Sequence, residues 1–425
     1  MPIFALVDCN IFYASCEKLF DPTLRDTPIV VLSNNDGCVV ARSAESKILG
    51  VPMGAPWFQL QELAKQHGIR AFSSNYALYA DMSSRVVEIL SSFTPSMEVY
   101  SIDESFLVLD GLPGTREEIG REIRERVARW IGLPVCVGIA NTKTLAKLAN
   151  HAAKKALAGR DGVCDFGAMT PDEVSTLFAS IPVAEVWGVG RRIDERLAEM
   201  GIGTVRQLRD APPGWIREHF SVVLERTVRE LNGVSCLNLE DVTPDKQQIM
   251  ASRSFGNPVF DLEGLSESVA SHTTRAAEKL RAQRHVAGAI TVTIRSNPFK
   301  PWEPQYNRSE VVPLPEPSAD TRELIRAALW GLRRIYRTGF AYKKAGVMLS
   351  GLEPERRRQS SLLVDPERER KSAALMQAMD SINARWGRGS LRPLATGFDV
   401  SWTMRREKLS PAWTTCWDAL PRVTG

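Results

Sequence analysis

The feature that most constrains this chain is a pair of apolar segments that each deliver carboxylates. Ile3 to Val7 is a short apolar run typical of a buried strand, and Asp8 ends it. About ninety residues later, Asp103 and Glu104 stand between a run at 97–100 and a second apolar run at 106–109. A carboxylate in such a setting needs a partner or a polar cleft. The pattern predicts strands that carry three acids towards one place.

Three clustered carboxylates would repel one another and raise their own pKa values unless cations neutralise them. Hard oxygen ligands at that density suit Mg²⁺, and two such ions are the usual arrangement for nucleotidyl transfer. Another interpretation is open at this point. An Asp at a strand end is often a turn or cap residue, and Asp-Glu after a strand is common in hairpins.

Several segments around and beyond these acids carry a resemblance to a known family. Residues 8–17, 33–42 and 101–106 resemble the Y-family DNA polymerases, specifically the UmuC branch, which supplies the catalytic subunit of bacterial DNA polymerase V. Residues 252–256 and 409–415 extend the match in the same order. The resemblance covers essentially the whole chain.

The resemblance implies a catalytic centre and its reaction. Asp8, Asp103 and Glu104 would be the catalytic carboxylates, and with the backbone carbonyl of Cys9 they would hold two Mg²⁺ ions. The primer 3′-hydroxyl would attack the α-phosphate of a deoxynucleoside triphosphate and release pyrophosphate. The family lacks a proofreading nuclease, so error-prone translesion synthesis in SOS mutagenesis and DNA repair is the implied role.

The nucleotide-binding residues implied by the resemblance are two aromatics and two lysines. Tyr13, beside Phe12, matches the steric gate whose ring fills the space of a ribose 2′-hydroxyl. Lys47 and Lys154 match basic residues that contact the triphosphate. The family usually has Arg where this chain has Lys47 and an aromatic where it has Ala44, which leaves the strength of this contact open. Tyr13 as a core aromatic and Lys47 as a solvated helix residue are the alternatives.

A chain of 425 residues is too long for one core. The order of the expected elements and the resemblance together imply an α+β multidomain fold, with a ferredoxin-like palm and fingers, a helix-hairpin-helix thumb and a βαββαβ little finger. The expected domains are a palm at 1–167 with fingers inserted at about 20–80, a thumb at 168–235, a linker at 236–250, a little finger at 251–352, and a partner-binding tail at 353–425. Within the palm, helices are expected at 13–25, 76–91 and 116–131.

The DNA contacts are expected in the thumb and little finger. Gly188 and Gly190 precede a helix in a helix-hairpin-helix pattern, where glycines let backbone N–H groups approach a phosphate, although an ordinary tight turn would look the same. Residues 246–350 hold about 16 Lys and Arg against about 9 Asp and Glu, near +7, which leaves the rest of the chain near −3. Basic charge concentrated in one module is typical of a phosphate-contact surface, although a solvated protein face would have the same composition. Arg253 and Arg295 are the candidate DNA-binding residues.

The tail begins with charged residues, 353–358, that we expect to be flexible. Gln359, Leu362 and Leu363 then form a peptide that resembles the motif by which bacterial polymerases bind the β sliding clamp; packing of the leucines into the chain's own core is the alternative. A helix is expected at 367–386, and three tryptophans (Trp402, Trp413 and Trp417) suggest a small packed cap or a partner surface. The branch resemblance also implies a UmuD′ dimer and a RecA filament as partners.

Composition narrows the class further. An apolar share of 44% with 24% charged residues is ordinary for a globular protein, and no run is long enough to span a membrane. Seven scattered Cys without a Cys-x-x-Cys pair argue for reduced thiols and a cytoplasmic location, and against zinc. Two other functions stay open: a nucleotidyl cyclase built on a similar palm, and a catalytically inactive DNA-binding subunit, although none of the three acids is missing.

Overall fold

The computed structural model describes residues 2–239, 245–357, 366–398 and 402–420. The chain divides into two compact units. The first contains residues 1–243 and 408–425, and the second contains residues 244–407. The tail predicted as one segment from residue 353 is therefore divided between the two units.

The first unit alternates short strands and helices, as the palm prediction requires. Its elements in chain order are β1 (Phe4–Cys9), α1 (Phe12–Leu19), β2 (Ile29–Leu32), β3 (Val39–Arg42), α2 (Ala44–Ile48), α3 (Gln61–His67), β4 (Arg70–Ser73), α4 (Tyr76–Ser91), β5 (Met97–Val99), β6 (Glu104–Val108), α5 (Arg116–Trp130), β7 (Val135–Ala140), α6 (Lys143–Lys154), β8 (Val163–Asp165), α7 (Pro171–Ser180), α8 (Arg191–Glu199), α9 (Val205–Asp210), α10 (Pro213–His219) and α11 (Val222–Leu231). The predicted helices at 76–91 and 116–131 match α4 and α5 to within a residue.

The palm sheet has the strand order β5-β6-β1-β7-β8, with β1 at its centre and antiparallel to both neighbours. Helix α6 packs on one face and helices α4 and α5 pack on the other. Because strand side chains alternate between faces, Asp8 shares the α6 face with Phe4 and Leu6. The central strand thus carries its carboxylate towards one particular helix.

Helix α6 lies unusually close to the sheet at Gly138 in β7. A Cβ atom there would lie 2.0 Å from the backbone nitrogen of Asn150 and 2.3 Å from the carbonyl oxygen of Ala146. The Asn150 side chain donates hydrogen bonds to the carbonyls of Leu6 (3.2 Å) and Cys136 (2.8 Å), which ties the helix to two strands. Glycine is required here because any side chain would push α6 away.

The fingers contain a small sheet with the order β3-β2-β4. The helix predicted at 13–25 was wrong in its length, since α1 ends at Leu19. Asp21 accepts a hydrogen bond from the Thr23 backbone N–H (3.0 Å) and caps a separate turn, Pro22–Leu24. Proline has no N–H to continue the helical ladder, so the helix stops before it.

A buried carboxylate joins the thumb helices to the palm. Glu230 in α11 is fully buried and accepts hydrogen bonds from the Thr144 backbone (3.0 Å) and hydroxyl (2.6 Å) at the start of α6. Its other oxygen accepts from the backbone N–H groups of Cys236 (2.9 Å) and Leu237 (3.0 Å). Four donors satisfy both oxygens, which is what a buried carboxylate needs.

The second unit confirms the predicted βαββαβ order. Its elements are β9 (Ile249–Val259), α12 (Leu262–Ala282), β10 (His285–Ser296), β11 (Asn307–Ser318), α13 (Thr321–Ile335), β12 (Tyr342–Pro354) and α14 (Pro366–Trp386). The sheet has the order β11-β10-β12-β9 and is antiparallel throughout, with α12 and α13 packed on one face. No helix in these or the other described ranges is long and apolar enough to cross a membrane.

Two expectations for the tail need correction. Residues 353 and 354 extend β12, where Glu353 pairs with Val286, so the charged segment starts as a strand instead of a flexible linker. Backbone pairing with β10 is available there whatever the side-chain charge. The tryptophans do not form one cap: Trp402 is buried in the second unit, Trp413 packs in the first, and Trp417 is exposed.

Candidate active site

The pairing of β1 with β6 brings the predicted carboxylates to one end of the palm sheet. Asp8 lies directly opposite Glu104 in the antiparallel register, and the Cys9 backbone N–H donates to the Asp103 carbonyl at 2.9 Å. Ser101 fixes the turn before β6, because its hydroxyl donates to Asp103 Oδ1 (2.6 Å) and accepts from the Glu104 N–H (3.1 Å). The three acids are therefore positioned by backbone pairing and one short turn.

Two lysines of α6 neutralise two of these acids. Lys154 Nζ pairs with Asp8, and Lys147 Nζ contacts both carboxylate oxygens of Glu104, at 3.0 and 2.9 Å. The two lysines are seven residues apart, which is two helical turns, so they share one face of α6. The sequence interpretation assigned a role to Lys154 and missed Lys147. The seven-residue spacing was the signal that could have identified it.

Ionisation of the groups at the carboxylate end of the sheet is opposed by burial and by repulsion between the acids. Burial raises the pKa of Asp8 to about 6, the Lys154 charge opposes this shift, and the charges of Glu104 and Asp103 add to it. Burial also raises the pKa of the Cys9 thiol to about 12, so its backbone carbonyl, and not a thiolate, is available as a ligand. Each of these effects would be relieved by a cation bound among the acids.

Within the described ranges, no group of three or more His, Cys, Asp or Glu side chains is arranged as a ready metal site. Lys147 and Lys154 supply the positive charges that balance Glu104 and Asp8. The donor set nevertheless fits a divalent cation, because Asp8, Asp103 and Glu104 offer hard oxygen atoms at one end of the β1–β6 strand pair and Asp8 is a buried carboxylate with a raised pKa.

Tyr13 lies in the first turn of α1, shortly after Asp8 in sequence and against α4 in space. Its ring stacks on Tyr79 with centroids 4.4 Å apart and planes at 15°, and it meets Tyr76 edge-on at 6.1 Å. Phe12 is buried beside it, with centroids 5.8 Å apart. Ile11, just before α1, has φ of 51°, a left-handed value that is rare for a β-branched residue and directs the chain sharply into this aromatic group.

Lys47 belongs to a group of cations that spans fingers and palm. Its pKa is lowered, first by burial and then by the charges of Arg42, Lys155 and Lys154. The structure therefore brings the two lysines predicted to contact the triphosphate into electrostatic contact with each other. Clustered cations of this kind attract a polyanion.

The thumb segment predicted as a helix-hairpin-helix has a three-residue 3₁₀ turn, Val183–Glu185, before the two glycines and helix α8 after them. Gly188 has a φ of 89°, and Gly190 caps α8, with its carbonyl accepting from the N–H groups of Ile193 (2.8 Å) and Asp194 (3.0 Å). Both glycines are exposed, and a Cβ on Gly190 would meet no atom within 4 Å. The turn is open enough for another molecule to reach its backbone.

The two little-finger arginines lie on different faces of their sheet. Arg295 pairs with Lys344 and shares the face without helices, whereas Arg253 pairs with Ala345, whose side chain is buried in the core under the helices. The pKa of Arg253 is lowered by burial and by the charge of Arg275 in α12. The clamp peptide, Gln359, Leu362 and Leu363, lies outside the described residues.

Family models match most of the chain. The impB/mucB/samB family model covers residues 7–151, and the C-terminal domain model of the same family covers residues 246–362. A domain of unknown function (DUF4113) covers residues 373–423. The first match contains all three carboxylates, Tyr13 and Lys47.

Known relatives agree along the full length. The chain is 48% identical over 423 residues to Protein UmuC of Salmonella typhimurium, which covers 99% of this chain and 100% of that protein. It is 44% identical over 425 residues to Protein MucB of Escherichia coli, again covering 99% and 100%. The chain belongs to the impB/mucB/samB family. It is a UmuC-type Y-family DNA polymerase, a DNA-directed enzyme that acts in translesion synthesis and mutagenesis.

A solved structure supports the fold independently. A Y-family DNA polymerase chimera aligns with a TM-score of 0.62 at 20% identity and covers 82% of this chain and 99% of that chain. Membership of this family decides against the nucleotidyl cyclase alternative. It also implies, in general terms, use of a divalent metal ion and binding of DNA and deoxynucleoside triphosphates.

Proposed function

We propose that Asp8, Asp103 and Glu104, together with the carbonyl of Cys9, hold two Mg²⁺ ions for nucleotidyl transfer. When bound, the ions supply charge stabilisation at the attacking and leaving oxygens. The primer 3′-oxygen forms a bond to the α-phosphorus while the bond from that phosphorus to the bridging oxygen of pyrophosphate breaks. The observation that carries this proposal is the β1–β6 register, which puts Asp8 opposite Glu104 with Asp103 hydrogen-bonded to Cys9.

The lysines of α6 have two partners in this proposal. Lys154 pairs with Asp8 in this structure. Its side chain is about one-third exposed, so its ammonium group can turn from Asp8 towards the triphosphate of a bound nucleotide. Together with Lys47 it binds the β and γ phosphates, which a lysine does as a point charge. Lys147 stays with Glu104 and orients that carboxylate.

Tyr13 selects the sugar of the incoming nucleotide. Its ring is held on one side by the stack with Tyr79 and met edge-on by Tyr76, so it has little freedom to move aside for a ribose 2′-hydroxyl. A rigid aromatic ring excludes a ribonucleotide sterically. The free energy needed to rotate the ring aside determines how strongly deoxyribonucleotides are preferred over ribonucleotides. Tyr13 is therefore proposed as the steric gate.

Phosphate contacts on the DNA come from two modules. The exposed backbone at Gly188 and Gly190 receives a phosphate at the start of α8. In the second unit, the open sheet face with Arg295 and Lys344 follows the backbone of the duplex without reading bases. Arg253 lies on the helix side of that sheet, beside Arg275, so a phosphate that it binds lies on the other face from Arg295.

The partners of the polymerase are also proposed. A UmuD′ dimer, a RecA filament and the β sliding clamp are assigned from the UmuC branch, with the clamp bound by Gln359, Leu362 and Leu363. The seven cysteines all lie in the part of the chain that the structure describes and form no disulfide there, which supports a cytoplasmic location. Primer extension across an abasic template, with and without UmuD′ and RecA, tests this assignment: equal bypass in both reactions contradicts it.

The test of the catalytic assignment separates binding from chemistry. We expect Asp103→Ala and Glu104→Ala to bind primer-template DNA with near-normal affinity and to incorporate nucleotides several orders of magnitude more slowly, because the ions act mainly in the transition state. Asp110→Ala is the matched control, since Asp110 is an exposed acid at the opposite end of the same strand pair. Extension by either variant within tenfold of the wild-type rate overturns the assignment.

A further inference from the structure

The last part of the chain returns to the first unit and packs beside the fingers. We name residues 408–420 the C-terminal strap. Its first residue, Lys408, accepts a hydrogen bond from the Ser73 backbone N–H at 2.9 Å and donates its own N–H to the Ser73 hydroxyl at 3.0 Å. Ser73 ends β4, an edge strand of the fingers sheet, so the strap covers polar backbone that would otherwise face water.

The strap is then fixed by a buried amide at the start of α4. Asn75 donates from Nδ2 to the Ser410 hydroxyl (3.0 Å), the Ser410 carbonyl (3.3 Å) and the Pro411 carbonyl (3.3 Å). Its Oδ1 accepts the N–H of Leu78 and thereby caps α4. One side chain therefore sets both the strap and the start of the helix that carries Tyr79.

A second buried group connects the strap to the aromatic cluster. Glu17 in α1 is only 2% exposed, and its Oε1 accepts hydrogen bonds from the Ser410 hydroxyl (3.1 Å) and the Tyr79 hydroxyl (2.6 Å). Its Oε2 is buried and has no hydrogen-bond partner among the described residues. A buried carboxylate with so few donors depends on each of them, and Ser410 is one of the two.

These contacts form a continuous path from the strap to the proposed sugar gate. Ser410 holds Glu17, Glu17 holds the hydroxyl of the fully buried Tyr79, and the Tyr79 ring stacks on Tyr13 at 4.4 Å. We propose that the C-terminal strap is a positioning element of the nucleotide site, in which Ser410 fixes Tyr79 and thereby restricts the ring of Tyr13. This gives the last part of the domain of unknown function a role in sugar selection.

The inference rests on the proposed role of Tyr13 and adds a requirement to it. A gate excludes a 2′-hydroxyl only while its ring cannot tilt, and Tyr79 is the surface against which it would tilt. Loss of the Ser410 hydroxyl leaves Glu17 with one donor and loosens Tyr79. Phe20 and Trp413, which stack with centroids 6.0 Å apart, keep the strap attached when Ser410 is changed.

The test measures kcat/KM for a ribonucleotide and for the matching deoxyribonucleotide on the same primer-template with full-length protein. Ser410→Ala and Tyr79→Phe each remove one hydrogen bond to Glu17. We expect both to raise the ribonucleotide kcat/KM and to increase the ribo-to-deoxy ratio about three- to tenfold, the effect of one lost hydrogen bond. Glu17→Gln keeps an oxygen acceptor and should retain most of the selectivity, whereas Glu17→Ala should not. Thr415→Ala, at an exposed position of the strap, is the control.

A gain in ribonucleotide incorporation cannot arise from partial unfolding, which lowers both rates. Tyr13→Ala is measured in parallel to separate the two proposals. If Tyr13→Ala raises the ratio and Ser410→Ala and Tyr79→Phe leave it unchanged, the strap has no positioning role and the gate assignment stands. If Tyr13→Ala also leaves the ratio unchanged, both proposals are wrong. If Ser410→Ala melts more than a few degrees below wild type, Tyr79→Phe, which keeps the buried ring, decides the comparison.

Discussion

Replacing Asp8 with Asn should stabilise the metal-free protein. Burial raises the native pKa of Asp8 from its ordinary 3.8 to about 6. The native state therefore favours the protonated Asp8 side chain. Its contribution to the free energy of unfolding is complete below pH 3.8 and is lost as the pH rises through about 6. One pKa unit corresponds to about 1.4 kcal/mol, so the ionised group costs the wild type up to about 3 kcal/mol at pH 7.5, and Asn avoids that cost.

The assay is thermal or urea unfolding in EDTA across pH 4 to 8, followed by a signal from the first unit. We expect Asp8→Asn to melt about 5–10 °C above wild type at pH 7.5, with the gain shrinking towards zero near pH 4. Asp110→Asn, at an exposed site on the far end of the same strands, should show no such gain. Added Mg²⁺ should stabilise the wild type and not Asp8→Asn, because binding to the native state adds stability. A variant no more stable than wild type in EDTA, or a gain that is the same at pH 4 and pH 7.5, would refute this reasoning.

Three further predictions concern other parts of the chain. Tyr13→Ala should admit ribonucleotides far more readily, and an unchanged ribo-to-deoxy ratio in a primer-extension assay would show that Tyr13 is not the gate. Gly138→Ala should destabilise the first unit by about 1–3 kcal/mol in urea unfolding, because a Cβ would lie 2.0 Å from the backbone of α6, while Gly214→Ala, with open space around it, should change little. Replacing all three residues of the clamp peptide with Ala should abolish clamp-stimulated synthesis and leave the basal rate on short primer-templates unchanged; a collapse of the basal rate or melting temperature would place the leucines in the core.

The local patterns in the sequence located individual helices and strands, and the family resemblance supplied the order of the little finger. Residues 116–131 carry isoleucine and valine at four-residue steps, and Thr115 and Glu118 form a capping box, so α5 could be located from sequence to within one residue. The alternating run at 289–295 likewise lies inside β10. Patterns of this kind depend on nearest neighbours in the chain, which a sequence displays directly.

Contacts between distant segments were not predictable in the same way. Lys147 meets Glu104 because α6 packs across β7 and β1, and its distance from the sheet is set at Gly138 of β7. The face on which Arg253 lies depends on its pairing with β12, and a shift of one residue would have reversed it. Ser410 and Glu17 are 393 residues apart in sequence, and neither side chain alone indicates a partner. These positions depend on strand register and on the packing of the C-terminal strap against the first unit, and no local sequence pattern encodes either.

The central claim is that Asp8, Asp103 and Glu104 form one site for two divalent ions, and counting bound Mn²⁺ tests it most directly. Electron paramagnetic resonance titration would be performed on wild type, Asp103→Ala and Asp110→Ala, each with deoxynucleoside triphosphate and a primer ended by a dideoxynucleotide so that no turnover occurs. Subtraction of the Mn²⁺ held by free nucleotide gives the number bound by the complex. We predict two Mn²⁺ per complex for wild type and Asp110→Ala, and at least one fewer, or a loss of affinity of about tenfold or more, for Asp103→Ala. The same number of ions bound with the same affinity by Asp103→Ala and wild type would contradict the account.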